Sequence, residues 1–317
     1  MVNDPKGEVF TATAGYMQAQ GYRVITVNPE AVETSSRFNP LLEAKTDIEL
    51  EQVAEVLVRA GSGNSAKDQF WDNGAVRLVA VLLKLLRRSS QQDPAYFTLG
   101  NLYRLLQNFG SDGSPLDPFV IRWAYDPVNP SDDTLWEEWK GATTGNLTAV
   151  QSFALTALTA LRAFTNQDMV RLTASSSFDL ESIRSTKTII YFIIPAQHAE
   201  YYGFWTSVFF RSVFNACMRR LPDSSSLPVY ILYDEFGHST IPGFVSVANT
   251  IRGYRVSLSI VLQSISQLSA RYGQDYARSI QGGFTTYLTY SGSDPETARF
   301  FEQVSGRVIE HLSLIHI

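Results

Sequence analysis

The amino-acid sequence predicts an α/β fold: a doubly wound, mostly parallel sheet with an inserted all-α domain. Three observations predict it. Five runs are rich in β-branched and aromatic residues: YRVITVNP (22–29), KTIIYFIIPA (187–196), VYILYDE (229–235), RVSLSIVLQ (255–263) and TTYLTYSG (285–292). The last four are near-continuous, as parallel strands covered on both faces require. Helical patterns separate them, and strand–helix alternation is the signature of a parallel sheet. Residues 45–165, by contrast, show helical periodicity alone, which reads most simply as an insert between strands.

Taken in order, the chain opens on MVNDPKGE. Asp4 can cap a helix and Pro5 suits its first position. Val9, Phe10, Tyr16 and Met17 then make one apolar face, and Gly21 stops the helix. A turn, helix and strand in this order usually follow another strand, which is expected to be absent here. In the insert, IELEQVAEVLVRA, WDNGAVRLVAVLLKLLRR and AVQSFALTALTALRAF are helical, and Phe153, Ala157, Leu161 and Phe164 share a face. A polar stretch with Trp and Pro, 109–147, lies among them. The strands after it are separated by YYGFWTSVFFRSVFNACMRRL, GFVSVANTIRG and ARSIQGG. Asp294-Pro295 is expected to repeat the cap of Asp4-Pro5 and open the helix PETARFFEQVSG. The expected division is 1–44 with 166–311 as one domain and 45–165 as the all-α insert. The last six residues, LSLIHI (312–317), resemble a translated sequencing adapter and are expected to be a non-native tail. Both ends suggest an internal fragment of a longer protein.

Composition narrows the function classes. With 317 residues, 44% hydrophobic and 18% charged, the chain builds a sizeable core and is not disordered. A net charge of −5 gives no global basic field for nucleic acid, although a local basic lining remains compatible with it. Cys217 is the one cysteine, so an internal disulfide is impossible and a reducing compartment is favoured. Neither a signal peptide nor a run of about 18 apolar residues is visible.

The chemistry is read from VYILYDEFG (229–237), an apolar strand ending in adjacent carboxylates. Ligand sites in open parallel sheets form at the carboxyl ends of strands. There Asp234 would hold magnesium, through water, and Glu235 would polarise an attacking water, as in P-loop NTPases. A strand running into an acidic turn is the plainer alternative. Gln263 ends the next strand, where its amide can touch a terminal phosphate and report its loss. Arg252 can serve a neighbouring subunit as an arginine finger, with Arg255 and Arg271 competing for that role, although a solvated helix-end arginine is the plainer reading. The phosphate loop itself is missing. The only glycine-rich candidate, GSGNSAKD (61–68), has Ala66 in place of the final glycine and Asp68 in place of the magnesium-binding hydroxyl. It therefore reads as a surface loop. Lys6 has no glycine-rich loop around it, and the phosphate loop is expected upstream. His198, His238, His311 and His316 lack metal-ligand spacing and read as surface or capping residues. Trp136 and Trp139 could stack bases, but their acidic neighbours favour packing within the insert.

In this order the motifs resemble those of the TraG-like coupling proteins of type IV secretion and conjugation. The residues are DPKGE (4–8), RFNPL (37–41), Phe70-Trp71-Asp72, YDEFG, IRGYRVSLSIVLQSISQLSARYG (251–273) with its QL…YG turn, and SDPETARFF. The resemblance covers nearly all of 1–307. It implies a RecA-like motor with an all-α domain, ATP and magnesium between subunits of a hexameric ring, and an anchor in the bacterial inner membrane facing the cytoplasm. It also implies a relaxase-bound single-stranded DNA substrate, with protein, handed to the secretion channel. Asp234, Glu235, Gln263 and Arg252 would take the roles above. Arg255 departs from the pattern, standing near a frequent glycine. The alternatives are a non-hydrolysing cargo receptor or scaffold of the secretion system and a soluble helicase. Without its phosphate loop, this polypeptide alone is expected not to hydrolyse ATP.

Overall fold

The computed structural model describes residues 1–60, 69–125, 133–290 and 294–306. Five parallel strands form one sheet: β1 (Val2–Asn3), β2 (Arg23–Val27), β3 (Thr188–Phe192), β4 (Val229–Tyr233) and β5 (Val256–Ile260), in the order β2-β3-β1-β4-β5. The strand expected to be missing before the Asp4-Pro5 turn is present as the two residues Val2–Asn3. Val2 pairs with Tyr191 and Leu232, and Asn3 with Phe192 and Tyr233, at the centre of the sheet. Two residues are too short to show a periodicity, so no pattern could announce them.

α1 (Glu8–Ala19) starts later than the Asp-Pro signal suggested, with Gly7 at its N-cap in a left-handed conformation, φ 69°. Asp4 still serves the helix start from a distance, because its carboxylate accepts the Phe10 N–H at 2.8 Å. Val9, Phe10 and Met17 pack on Val2, Ile189, Tyr191 and Ile193, while Tyr16 points to solvent. The other faces of the strands meet a larger core built on α10 (Ala199–Met218), whose Phe209 stacks on Phe192 at 4.4 Å. β3 is thus buried on both sides, as its unbroken apolar run predicts. β4 is not. Val229, Ile231 and Tyr233 face the core, but Tyr230 is 67% and Leu232 36% exposed. Among the described residues α1 covers β1 to β3 and nothing covers that face of β4 and β5.

The fifth predicted strand does not form among its described residues. Residues 285–290 join no ladder, and Leu288 and Tyr290 are largely exposed. β5 pairs only with β4 among the described residues, and 285–290 does not take its other edge. An apolar β-branched run gives strand capacity; a neighbouring edge decides whether it is used.

Between β2 and β3 the described chain is helical. α2 (Pro40–Glu43), α3 (Asp47–Arg59), α4 (Gln69–Ser89), α5 (Leu99–Gln107), α6 (Asp117–Ala124), α7 (Asp133–Thr143), α8 (Leu147–Ala160) and α9 (Gln167–Leu172) follow one another. α3 opens on a capping box, Thr46 with Glu49. α4 is the central helix of this block, with Leu78, Leu82 and Leu85 fully buried. Trp139 is also fully buried and donates to Asp117 at 2.7 Å, so it is a packing residue. The apolar core runs without a break from this block into the sheet layer through α3 and α10. No described helix is long and apolar enough to cross a membrane.

The RFNPL segment is the joint between sheet and helical block. Phe38 is buried against Phe178, Trp205 and Phe209. Asn39, also buried, caps α2 by accepting the Leu41 N–H at 3.0 Å and donates to the Phe97 carbonyl at 2.8 Å. Pro40 supplies the fixed φ of the first helical position. Asn39→Ala removes a cap, about 1 kcal/mol, and strands a buried carbonyl, about 1–3 kcal/mol. A loss of roughly 2–4 kcal/mol in urea denaturation is expected, without a change in secondary structure.

After β4 come α11 (Phe244–Thr250), then β5, α12 (Ser266–Tyr272), α13 (Gln274–Gly282) and α14 (Pro295–Ser305). Here the Asp-Pro signal works as read. Asp294 accepts the Thr297 N–H at 2.8 Å and Pro295 opens the helix. The Thr297 hydroxyl and Ser264 also donate to Asp294, holding its carboxyl down to about 2. GSGNSAKD, His311, His316 and the tail 312–317 lie outside the described residues.

Candidate active site

Parallel strands β4 and β5 end side by side, and each delivers one turn to the same place. After Tyr233 the chain makes a tight turn with Glu235 in the left-handed region, φ 52°. A non-glycine residue held there costs on the order of 1–2 kcal/mol, a strain characteristic of functional turns. The turn is pinned from several sides. Asn3 donates to the Asp234 carbonyl at 2.7 Å, the Phe236 N–H to the Val261 carbonyl at 3.0 Å, and the Tyr233 hydroxyl meets Ser239 at 2.5 Å. Burial pushes the Tyr233 hydroxyl far above the usual phenol range, so it stays neutral.

The strain has a result. The Glu235 carboxylate faces Gln263, whose side-chain N–H₂ lies 3.0 Å from both of its oxygens. His238 stands 3.6 Å from the same carboxylate. Together with Asn3, Pro5, Thr206, Tyr233 and Ser239, these two residues line a small cleft at the carboxyl end of the sheet. Asp234 is half-buried, and one of its oxygens accepts the Glu235 N–H at 3.0 Å. That is its only side-chain hydrogen bond among the described residues, so the second oxygen is left for a hydrated cation. No cluster of three or more metal-ligating side chains occurs among the described residues. Magnesium fits such a site, because it keeps several waters and takes one or two carboxylates beside phosphate oxygens.

Glu235 and Gln263 are therefore brought together, and Asp234 adjoins them. Arg252 is not with them. It lies just before β5, at the opposite end of five residues of strand, roughly 17 Å at about 3.3 Å per residue. Arg252 is exposed, and its side chain has no hydrogen bond or ion pair among the described residues. Its competitors are engaged: Arg255 donates to the Asp223 carbonyl at 2.9 Å, and Arg271 to the Gly237 carbonyl at 2.9 Å. Arg255 also occupies the left-handed region, φ 54°, which explains why glycine suits that neighbourhood.

Several residues here had no distinguishing signal. Asn3 precedes every recognisable element. His238, read as a surface or capping residue, faces Glu235. Gln267 accepts the Gln263 backbone N–H at 3.1 Å. It stands in the QL…YG turn, where residue type alone gives no role.

The chain thus joins a parallel α/β sheet to a helical block and sets two adjacent carboxylates at one strand end beside a glutamine from the next strand. The family described as Type IV secretory system Conjugative DNA transfer matches residues 1–309, and the chain belongs to it. Protein VirD4 of Rhizobium radiobacter is 24% identical over 310 residues, covering 96% of this chain and 43% of that protein. Protein VirD4 of Agrobacterium fabrum is 23% identical, covering 96% of the chain and 45% of the relative. The chain thus spans less than half the length of these relatives. Among solved structures, the conjugative coupling protein TrwBdeltaN70 superposes with a TM-score of 0.61 at 15% identity, covering 89% of this chain and 66% of that one. TrwB with the ATP analogue ADPNP superposes at 0.58 with 13% identity, covering 89% and 68%. TrwB with ADP and magnesium superposes at 0.56 with 14% identity and the same coverage. At these identities the superpositions establish a shared fold.

Proposed function

We propose that this chain is the motor portion of an ATP-driven coupling protein, which recruits relaxase-bound single-stranded DNA and protein and moves them into a type IV secretion channel. The observation that carries this is the Glu235–Gln263 pair at the carboxyl ends of adjacent parallel strands. The nucleotide and magnesium in TrwB structures support ATP and magnesium as its ligands. Asp234 would hold magnesium through water, and the metal would neutralise charge on the phosphates. Glu235 orients the attacking water and takes its proton; the Gln263 amide can leave Glu235 for the terminal phosphate. Residues 1–44 and 166–311 form the motor and 45–165 the all-α domain in this reading. The uncovered Tyr230 and Leu232 support a further strand and helix of the whole protein beside β5, bringing the phosphate loop. Hexamer assembly and an inner-membrane anchor belong to that whole protein.

Arg252 suits a neighbouring subunit, since it is remote from its own Glu235. In the whole protein, Arg252→Ala is expected to lower magnesium-dependent ATP turnover by about 10³-fold or more. Arg255→Ala, which loses only a surface tie, is expected to stay within about threefold. Mixing Arg252→Ala with Glu235→Gln subunits restores turnover if the finger acts across the interface. A wild-type protein without turnover, or mixtures that stay inactive, would contradict the respective claims.

A further inference from the structure

The QL…YG turn has a physical role beyond its sequence resemblance. α12 is only seven residues long, yet three of its side chains reach the turn that follows Glu235. Tyr272 accepts the Ile241 N–H at 3.0 Å and its ring stacks parallel to Phe236, 6.0 Å between centroids. Arg271 donates to the Gly237 carbonyl. Gln267 does more, because it touches both turns of the site. Its side-chain oxygen accepts the Gln263 backbone N–H, and its amide fills the space beside Gly237. A Cβ on Gly237 would stand 2.5 Å from that oxygen and 2.6 Å from the amide carbon.

The need for such a brace is visible in the backbone. Gln263 lies beyond the last ladder pair of β5, Tyr233 with Ile260, so the sheet does not hold it. Its side chain is exposed, and its contacts to Glu235 are set by where its backbone sits. On the other side Ser264 is tied to Asp294 at 2.8 Å, and the Ile265 N–H to Thr297 at 3.0 Å. These bonds fix the far end of the same turn. The Gln267 oxygen fixes the Gln263 N–H itself.

We infer that Gln267 is a positioning residue for ATP hydrolysis: it holds Gln263 in reach of Glu235, and Gly237 is glycine because the Gln267 amide occupies the space of a side chain. This rests on the proposed hydrolytic reading of Glu235. Misplacing a catalytic group by about 1 Å can cost on the order of 10²-fold.

The test uses the whole protein and three measurements of ATP turnover. Glu235→Gln first establishes the site: if it is as active as wild type, the hydrolytic reading itself fails. If it is inactive, Gln267→Met, which keeps the volume and loses the acceptor, is expected to lower kcat about 10- to 100-fold. KM for ATP should stay within about twofold and the melting temperature should be unchanged, a split that a merely structural role would not give. Gly237→Ala should lower kcat similarly in the wild type and have little further effect in a Gln267→Ala background, because the colliding amide is gone. An inactive Glu235→Gln together with an unimpaired Gln267→Met overturns the inference. So do effects of Gly237→Ala and Gln267→Ala that simply multiply. If Gln267→Met does not fold, the Gly237→Ala cycle decides alone.

Discussion

Glu235→Gln is expected to lower ATP turnover by the whole coupling protein by about 10²–10⁴-fold, the usual worth of a positioned general base. The substitution keeps shape and removes the basic oxygen. The fold should tolerate it, because the amide oxygen of a glutamine at 235 still accepts from Gln263, which now lies 3.0 Å from the carboxylate. Asp234 is untouched, so magnesium and nucleotide affinity should be retained. The variant should therefore trap ATP, with kcat reduced and KM little changed, as expected when an interaction of the transition state alone is lost. Steady-state kinetics and a nucleotide-retention assay check both halves.

Glu43→Gln is expected to stabilise the protein by roughly 2–3 kcal/mol at pH 8 and by nothing near pH 4. Glu43 is 5% exposed at the joint between sheet and helical block. One of its oxygens receives only a 3.5 Å contact from the Leu180 N–H, and the other is buried with no donor. Burial, and secondarily the nearby Asp179, push its carboxyl up from 4.5 to about 7. Arg219 is committed elsewhere: it donates to the Glu43 backbone carbonyl at 2.8 Å, to Glu49 at 3.1 Å and to Glu181. The sign follows from proton counts. Between 4.5 and 7 the folded protein keeps a proton on Glu43 that the unfolded chain has released. Stability therefore falls as pH rises through that window and stays reduced above it. A neutral glutamine carries no such charge, so the two proteins diverge on the alkaline side. Urea denaturation at a series of pH values measures the divergence, and a parallel pair of curves would exclude Glu43 as its source.

The fold was legible where a residue's own environment is local or heavily repeated. β3 alternates between two cores, Ile190 and Phe192 on one side and Ile189 and Tyr191 on the other, and its unbroken apolar run says so. TTYLTYSG carries a similar run and forms no strand among its described residues, because a ladder depends on an edge that no local pattern can report. Asp294 and Asp4 look alike in sequence. One caps the residue three positions on; the other reaches Phe10 across a glycine turn. The difference lies in Gly7, whose left-handed φ delays the helix. In the candidate site, the placement of Asp234 and Glu235 at a strand end was legible because they directly follow the apolar run VYILY. Gln263 was legible because it ends the next strand. Asn3, His238 and Gln267 act through contacts made by tertiary placement, and nothing in their neighbours' identities marks them. What the Arg255 and Arg271 side chains hold, the Asp223 and Gly237 carbonyls, could not be read from their neighbours in sequence.

The most direct test of the motor site is a structure of the whole protein carrying Glu235→Gln with ATP and magnesium bound. The Gln263 amide should have moved to the terminal phosphate, and Asp234 should meet the magnesium through a water. A nucleotide bound away from the ends of β4 and β5, with Gln263 still resting on residue 235, would contradict the assignment.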